Sequence, residues 1–147
     1  MGAECQFCRI VARTHAAAIV YEDELCLTFL DNRPLFPGHC LLIPKVHVET
    51  LADLAPSEIG PLFEVAQMLS RAMEAGLGGE GSFVAINNRV SQSVPHLHVH
   101  VVPRKRKDGL KGFFWPRSKY ASEQEMESVR ATLASAVGAR VRPPGIR

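Results

Sequence analysis

The sequence lacks the features that mark several common protein classes. No apolar run approaches the roughly 20 residues that cross a bilayer, and no internal repeat is present. The formal net charge of +2 is too small to argue for a nucleic-acid partner. Glu4, Arg9 and Arg13 interrupt the N-terminal region, which shows no signal-peptide pattern. We therefore expect a cytoplasmic protein without membrane or nucleic-acid partners.

Cysteine is also scarce, with four residues in 147. Because cytosolic thiols stay reduced, these residues are candidates for metal binding or packing rather than for disulfides. Cys26 and Cys40 lie within apolar strand patterns and are expected to pack. The length favours one domain, which we place at residues 1–138, followed by a flexible basic tail at residues 139–147.

The pattern of apolar residues predicts an α+β fold. Strands are expected at residues 18–22, 25–30, 39–44 and 83–86. A long central helix begins at Asp53 or Ser57 and runs to about residue 75. Its predicted apolar face comprises Ile59, Leu62, Phe63, Ala66, Leu69 and Met73. A capping box at residues 122–125 starts a C-terminal helix, whose expected inner side comprises Met126, Val129, Leu133 and Val137. Both helices are expected on one sheet face.

The stretch from residue 92 to residue 104 predicts a fifth strand and carries the chemistry. Three histidines at positions 96, 98 and 100 alternate with aliphatic residues. Because side chains two apart share one face of a strand, the imidazoles face one way and the aliphatic residues face a core. Such a face could simply be exposed to water. It could also bind a metal, or use one histidine as a nucleophile on an anionic substrate.

Other candidate residues are less specific by themselves. Cys5-x-x-Cys8 could be a redox pair or half of a zinc site. Asp31 could bond the backbone of its own turn or bind sugar hydroxyls. The basic residues 104–111 could form a solvated loop or contact phosphate. The aromatic loop Phe113–Arg117 could pack on the domain, on a partner subunit or on a base.

Residues 96–102, His-Leu-His-Val-His-Val-Val, resemble the signature of the histidine triad superfamily. Related residues also fall at Asp31, Pro37-Gly38-His39, residues 43–47, Asn87 and Gln92-Ser93. The resemblance covers about residues 5–104. It implies a five-stranded antiparallel sheet with helices, to which the residue pattern adds one long central helix and a C-terminal helix. It also implies a two-fold homodimer that acts on nucleotides.

The same resemblance implies a role for each matching residue. His98 would attack the α-phosphorus to form a nucleotidyl-histidine, and His100 would donate to the phosphoryl oxygens. Gln92 and Ser93 would lie near the bridging oxygen or the phosphate. The substrate-binding residues would be Asp31 for ribose, Asn87 for phosphate or nucleoside, and His39 as a further active-site histidine. The connection from residue 87 to residue 92 lacks the family's glycine-rich segment.

The resemblance further implies one structural zinc ion per chain. Its ligands would be Cys5, Cys8, His47 and His96, a closed tetrahedral set suited to structure rather than catalysis. A divalent cation could also accompany a polyphosphate substrate.

The expected activity is release of a nucleoside monophosphate, AMP above others, from a dinucleoside polyphosphate or a nucleoside phosphoramidate. Retention of His100, where the related transferases carry glutamine, favours hydrolysis over transfer. Two alternatives remain. One is a nucleotide-binding regulatory module with little turnover, and the other is a metal-dependent hydrolase with the three histidines as ligands.

Overall fold

A computed structural model describes residues 5–111 and 118–138. The chain forms two compact units, Met1–Asp108 and Gly109–Arg147. The expected single domain at residues 1–138 stays a prediction. The aromatic loop Phe113–Arg117 and the tail at residues 139–147 lie outside the described residues. None of the helices in the described ranges is long and apolar enough to span a bilayer.

The elements follow one another in an order close to the predicted one. The helices are α1 (Gln6–Val11), α2 (Pro56–Leu77) and α3 (Glu123–Gly138), with a short 3₁₀ helix at Leu51–Asp53. The strands are β1 (Ile19–Glu22), β2 (Cys26–Leu30), β3 (Cys40–Pro44), β4 (Gly81–Ala85) and β5 (Val99–Arg104).

The five strands form one antiparallel sheet in the order β1-β2-β3-β5-β4. This architecture confirms the α+β prediction. The ladder between β3 and β5 ends where Leu42 faces Val99, so β5 begins later than the histidine pattern suggested. The cause is Pro44, which has no N–H to donate. Its carbonyl instead accepts the Nε2–H of His96, at 2.8 Å.

The sheet packs on the predicted helix α2 with one face and on α1, a helix that the sequence analysis did not predict, with the other. One face packs on α2 through a cluster that includes Cys26, Cys40, Leu42, Leu97, Val99 and Val101. The other packs on α1, where Phe7 and Ile10 join Leu27, Phe29, Leu41 and Ile43. The buried Cys26 and Cys40 pack as predicted and remain free thiols.

Helix α2 begins with Pro56 at its first position and ends at Gly78, which is left-handed with φ of 65°. Gly has no Cβ to clash in that conformation, so it ends a helix at little cost. Pro61 lies inside the helix rather than in its first turn. The predicted apolar face is buried at Leu62, Ala66, Leu69 and Met73, with Val65 in addition. Ile59 and Phe63, by contrast, are exposed by more than a third.

Helix α3 has the predicted start, since Ser122 Oγ accepts the N–H of Glu125 at 3.1 Å. Its expected inner side is wrong, because the four apolar residues are 39–71% exposed. These residues are Met126, Val129, Leu133 and Val137. A helical period shows which face of a helix is apolar, but it does not supply the surface that buries that face.

Candidate active site and thiol–histidine cluster

His98 is the best-oriented nucleophile candidate on the α1 face of the sheet. Its side chain is buried, with 3% exposed. Nδ1 lies 2.7 Å from the carbonyl oxygen of His96. A carbonyl can only accept, so Nδ1 of His98 carries the proton and donates it. The other nitrogen, Nε2, therefore keeps its lone pair, which is the form of imidazole that attacks an electrophile.

His100 belongs to a chain of hydrogen bonds that begins at a backbone amide. The N–H of Leu35 donates to Nδ1 of His39 at 3.1 Å. A neutral His39 must then carry its proton on Nε2, which lies 2.9 Å from Nδ1 of His100. His100 accepts that bond, so its own proton is on Nε2. The relay leaves His100 with an N–H donor beside the ring of His98, at a centroid distance of 5.0 Å.

Burial keeps this relay neutral. It is the main cause that lowers the pKa of His100 to about 4, with smaller contributions from His98 and His39. Burial also lowers the pKa of His39, although Asp31 opposes that shift. Asp31 Oδ2 lies 3.8 Å from His39 Nε2, but the neutral ring makes this contact no ion pair. The other oxygen of Asp31 accepts the N–H of Arg33 at 2.8 Å.

A second cluster brings together Cys5, Cys8, His47 and His96, whose ligand atoms lie within 4.8 Å of one another. Nδ1 of His96 is 3.5 Å from Cys5 Sγ and 3.6 Å from Cys8 Sγ. Nδ1 of His47 is 3.2 Å from Cys8 Sγ. Tetrahedral zinc with ordinary bond lengths would hold a sulfur and a nitrogen about 3.6 Å apart. The spacing of these atoms thus suits a zinc ion.

The tautomer of His96 also suits a metal, whereas the thiols must lose their protons to bind one. His96 donates Nε2–H to Pro44, which leaves the lone pair of Nδ1 directed at the thiols. Burial, with Cys5 adding to it, raises the pKa of the Cys8 thiol to about 11. A metal must therefore displace protons to bind the thiolates. The backbone partner of His96 is the outer contact that fixes the ring of a metal-binding histidine.

A further group of candidate metal ligands, with atoms within 4.8 Å of one another, consists of Asp31, His39 and His100. The hydrogen bonds argue against a metal there. A metal on His39 Nε2 would force the proton onto Nδ1, where it would oppose the Leu35 N–H. The 2.9 Å between the two nitrogens is a hydrogen-bond distance, whereas tetrahedral ligand nitrogens would lie about 3.4 Å apart. We assign this group to hydrogen bonding.

The three triad histidines do not share one ligand set. Within residues 5–111 and 118–138, the two metal-capable groups contain His96 and His100 separately, and neither contains His98. The alternative of a hydrolase with one metal on all three histidines therefore has no geometric support in the described residues.

The loop before His96 holds the remaining predicted site residues. Gln92 braces the loop, since its Oε1 accepts from Arg89 N–H and its Nε2 donates to Glu49 O, each at 2.7 Å. Asn87 is exposed and donates to Ser91 O at 3.4 Å. Ser93 is exposed. The side chain of Gln92 therefore ties the loop to Glu49, the side chain of Asn87 bonds within the loop, and the substrate roles of both residues stay predictions.

Phe7 is a residue of this region that sequence reasoning missed. Its ring centroid lies 5.2 Å from that of His98 and 5.9 Å from that of His96, both in edge-to-face geometry. Only 4% of Phe7 is exposed. The signal was the helical spacing of Phe7, Ile10 and Val11, which is easy to overlook beside the cysteine pair.

The fold and site agree with what comparison with known proteins finds. The model of the HIT domain family matches residues 12–107, so the chain belongs to the HIT family, the histidine triad proteins. It is similar to the crystal structure of a zinc-bound histidine triad family protein from Mycobacterium smegmatis. That similarity has 37% identity and a TM-score of 0.72, and it covers 95% of this chain and 100% of the other.

Two curated relatives have names that state a reaction. The adenylylsulfatase HINT3 of Arabidopsis thaliana is 35% identical over 109 residues, which are 73% of this chain. The asymmetrical bis(5'-nucleosyl)-tetraphosphatase of Schizosaccharomyces pombe is 37% identical over 92 residues, or 61% of this chain. The matches span 55% and 50% of those proteins, so this chain corresponds to about half of each.

Proposed function

We propose that this protein is a nucleotide hydrolase that releases a nucleoside monophosphate through a nucleotidyl-histidine intermediate. The observation that carries the proposal is the hydrogen bond from His98 Nδ1 to the carbonyl of His96, because it leaves Nε2 unprotonated. Membership in the HIT family supports it, as do relatives named for splitting adenylyl sulfate and bis-nucleosyl tetraphosphate.

In the first step, the lone pair of His98 Nε2 forms a bond to the α-phosphorus. The bond from phosphorus to the leaving group breaks, and the leaving group takes that electron pair. Nδ1 keeps its proton, so the modified ring carries one positive charge. The carbonyl of His96 stabilises this charge through the bond it already accepts, at 2.7 Å.

In the second step, water attacks the same phosphorus. The bond to Nε2 breaks, its electrons return to the ring, and the water releases one proton to the solvent. The products are the nucleoside monophosphate and neutral His98, ready for another cycle. Splitting one displacement into two in this manner is the advantage of covalent catalysis.

His100 is proposed to stabilise the phosphoryl oxygens during both steps. The relay from Leu35 through His39 places its proton on Nε2, and the low pKa keeps the ring neutral near pH 7. A fixed neutral donor needs no reorganisation as charge develops on the phosphoryl group. Asp31 is proposed to bind the ribose, and Gln92, Ser93 and Asn87 to face the phosphate chain.

We further propose that Cys5, Cys8, His47 and His96 hold one structural zinc ion. The sulfur–nitrogen distances and the free Nδ1 of His96 fit it, and a similar structure is described as zinc-bound. The ion would supply cohesion between α1 and the sheet. We also propose that a divalent cation accompanies a polyphosphate substrate when that substrate binds.

The proposed assembly is a two-fold homodimer with continuous sheets. β4 lies at an edge of the sheet and carries the 42% exposed Val84. An edge strand offers unpaired backbone groups to a second copy. Light scattering at micromolar concentration should give twice the chain mass, and a monomer at that concentration would remove this proposal.

The main experiment screens turnover of dinucleoside polyphosphates, adenosine phosphoramidates and adenylyl sulfate. One class should release AMP, and rapid quenching should trap a nucleotide on His98, detected by mass spectrometry of the peptide. Nucleotide binding without turnover or adduct would instead support a regulatory binding module, the alternative function. Hydrolysis that never yields the adduct and requires metal would support the metal-dependent alternative.

A further inference from the structure

We propose that Phe7 is a positioning residue for the nucleophile, and that the thiol–histidine cluster holds it in place. The inference rests on the proposed function, since it assigns His98 the attack on phosphorus. It gives helix α1 a role in the reaction rather than in packing alone.

The ring of His98 keeps some freedom to move. One hydrogen bond, at Nδ1, fixes the tautomer, but the ring can still swing about that bond. Two neighbouring rings oppose the swing. His100 lies at 5.0 Å with a 66° interplanar angle, and Phe7 lies at 5.2 Å with an 87° angle. These edge-to-face contacts fall in the favourable range for aromatic pairs.

Phe7 is held by a short helix that is not stable alone. Helix α1 has six residues, well below the roughly 12–15 that form a stable helix alone. It therefore depends on tertiary contacts. Cys5 and Cys8 flank Phe7 in sequence, and both thiols face His96. A metal in the cluster would clamp the helical turn that carries the ring.

His96 connects the thiol–histidine cluster to the nucleophile. Its side chain belongs to the cluster, its ring contacts Phe7, and its carbonyl accepts from His98. The cluster and the nucleophile are thus connected through one main-chain carbonyl and one aromatic ring. Displacement of a reacting group by about 1 Å can reduce a rate by about a hundredfold, so small shifts of α1 matter.

The test compares Phe7→Leu with Ile10→Val. Both residues are buried on α1 in the same cluster of apolar side chains, but ring contacts with His98 come from Phe7. Phe7→Leu should lower kcat about tenfold with the zinc content retained. The affinity for AMP should stay within about twofold, because a positioning residue acts on the transition state. Ile10→Val should leave kcat and KM unchanged.

A readout independent of activity is the ¹⁵N-resolved NMR signal of the His98 ring. We expect one sharp Nδ1–H tautomer in the wild type, and a signal broadened by exchange in Phe7→Leu. If the wild type turns over no nucleotide and forms no adduct, the proposed function fails, while this ring comparison still tests the positioning. An unchanged ring signal in Phe7→Leu would overturn the inference.

Chelation tests whether the cluster acts through Phe7. Metal removal should lower wild-type kcat about tenfold and should lower that of Phe7→Leu no further, since effects that share one route are not additive. Independent losses that multiply to about a hundredfold would overturn the coupling. Complete loss in both proteins would instead indicate a catalytic metal. Weaker AMP binding with unchanged kcat would make Phe7 a substrate contact and also overturn the inference.

Discussion

Two histidine clusters lie on the same sheet face, and His96 and His39 both carry the ring proton on Nε2. They differ in which nitrogen faces the rest of the cluster. In the thiol cluster, His96 carries its proton on Nε2, toward Pro44 O, and turns the lone pair of Nδ1 to the sulfurs. In the relay, His39 accepts from Leu35 N–H at Nδ1 and donates from Nε2 to His100. In each cluster the candidate ligand atoms lie within 4.8 Å of one another. The backbone atom beside each ring decides whether a lone pair or an N–H faces the rest of its cluster.

His98 lies between the two clusters and belongs to neither. Its substitution should cause the largest loss of turnover. His98→Ala should reduce turnover by about 10⁴ or more, because the covalent route is removed. Nucleotide binding and the zinc content should persist, since His98 is outside both ligand groups. Steady-state kinetics, with calorimetric binding of AMP, checks this expectation. Near-normal turnover in His98→Ala would end the covalent proposal.

Metal analysis should separate the two clusters completely. Protein purified without chelator should contain about one zinc per chain, and Cys5→Ser should lose it. Asp31→Asn should keep it, because that side chain belongs to the relay. Cys26→Ala is the control for a buried thiol elsewhere in the fold. Zinc lost in Asp31→Asn and retained in Cys5→Ser would reverse our assignment of the clusters.

Loss of zinc should affect stability locally before it affects the whole fold. Helix α1 is short and depends on the cluster, whereas the sheet also packs on α2. In Cys5→Ser, amides of α1 should lose protection from hydrogen exchange first. Uniform loss of protection across β2, β3 and β5 would show that the metal stabilises the entire sheet.

The relay should respond to the hydrogen-bonding capacity of the residue at position 39. His39→Leu removes the donor to His100 Nδ1, frees that ring to change tautomer, and should reduce kcat by about ten- to a hundredfold. His39→Gln retains an N–H donor and should recover much of the rate. KM should change less than kcat in both variants. Equal rates for Leu, Gln and wild type would show that the relay does not orient His100.

Acid should lower the stability of the fold through the buried His100 of the relay, because burial holds the pKa of that ring low. His100 in the folded protein takes up a proton near pH 4, below its ordinary pKa of 6.5. Between these values the unfolded chain binds more protons, so stability is present above pH 6.5 and is lost as pH falls toward 4. The free energy of unfolding, measured by denaturant titration across this pH window, should depend less steeply on pH in His100→Gln than in the wild type. Identical slopes in the two proteins would contradict the shifted pKa.

Sequence patterns predicted the strands because the period of two is a local property. The same period placed Leu97, Val99 and Val101 in the core, where all three are fully buried. Resemblance assembled Cys5, Cys8, His47 and His96, which the structure brings within ligand distance of one another. Their spread over 91 residues shows that spacing alone could not have joined them.

The proton positions of His96 and His39 could not be predicted, because they depend on backbone atoms rather than on side-chain identity. Pro44 O and Leu35 N–H assign these two tautomers, and no sequence motif encodes those contacts. The ring contact of Phe7 was also missed, since it requires α1 to lie on the histidine face. Helix α3 shows the converse limit, with an apolar face predicted correctly and its burial predicted wrongly.

The smallest expected effect lies in the loop that leads into both clusters. Arg89 and Ser91 have positive φ angles of 68° and 60°, in the segment where the family's glycine-rich sequence is absent. A left-handed residue with a Cβ costs about 1–2 kcal/mol, and the extra unfolded-state freedom of glycine offsets about 0.5–1 kcal/mol of any relief. Ser91→Gly should therefore stabilise the protein by about 0.5 kcal/mol.

Val90→Gly is the matched control for this change. Val90 is exposed and is not among the residues with positive φ, so glycine there brings the entropic cost without relief of strain. We expect it to destabilise the protein by about 0.5–1 kcal/mol. Urea denaturation of the two variants, at constant m-value, gives the difference directly. If Ser91→Gly is as destabilising as Val90→Gly, its hydroxyl or Cβ makes a contact that outweighs the backbone strain, and the loop is held by its side chains.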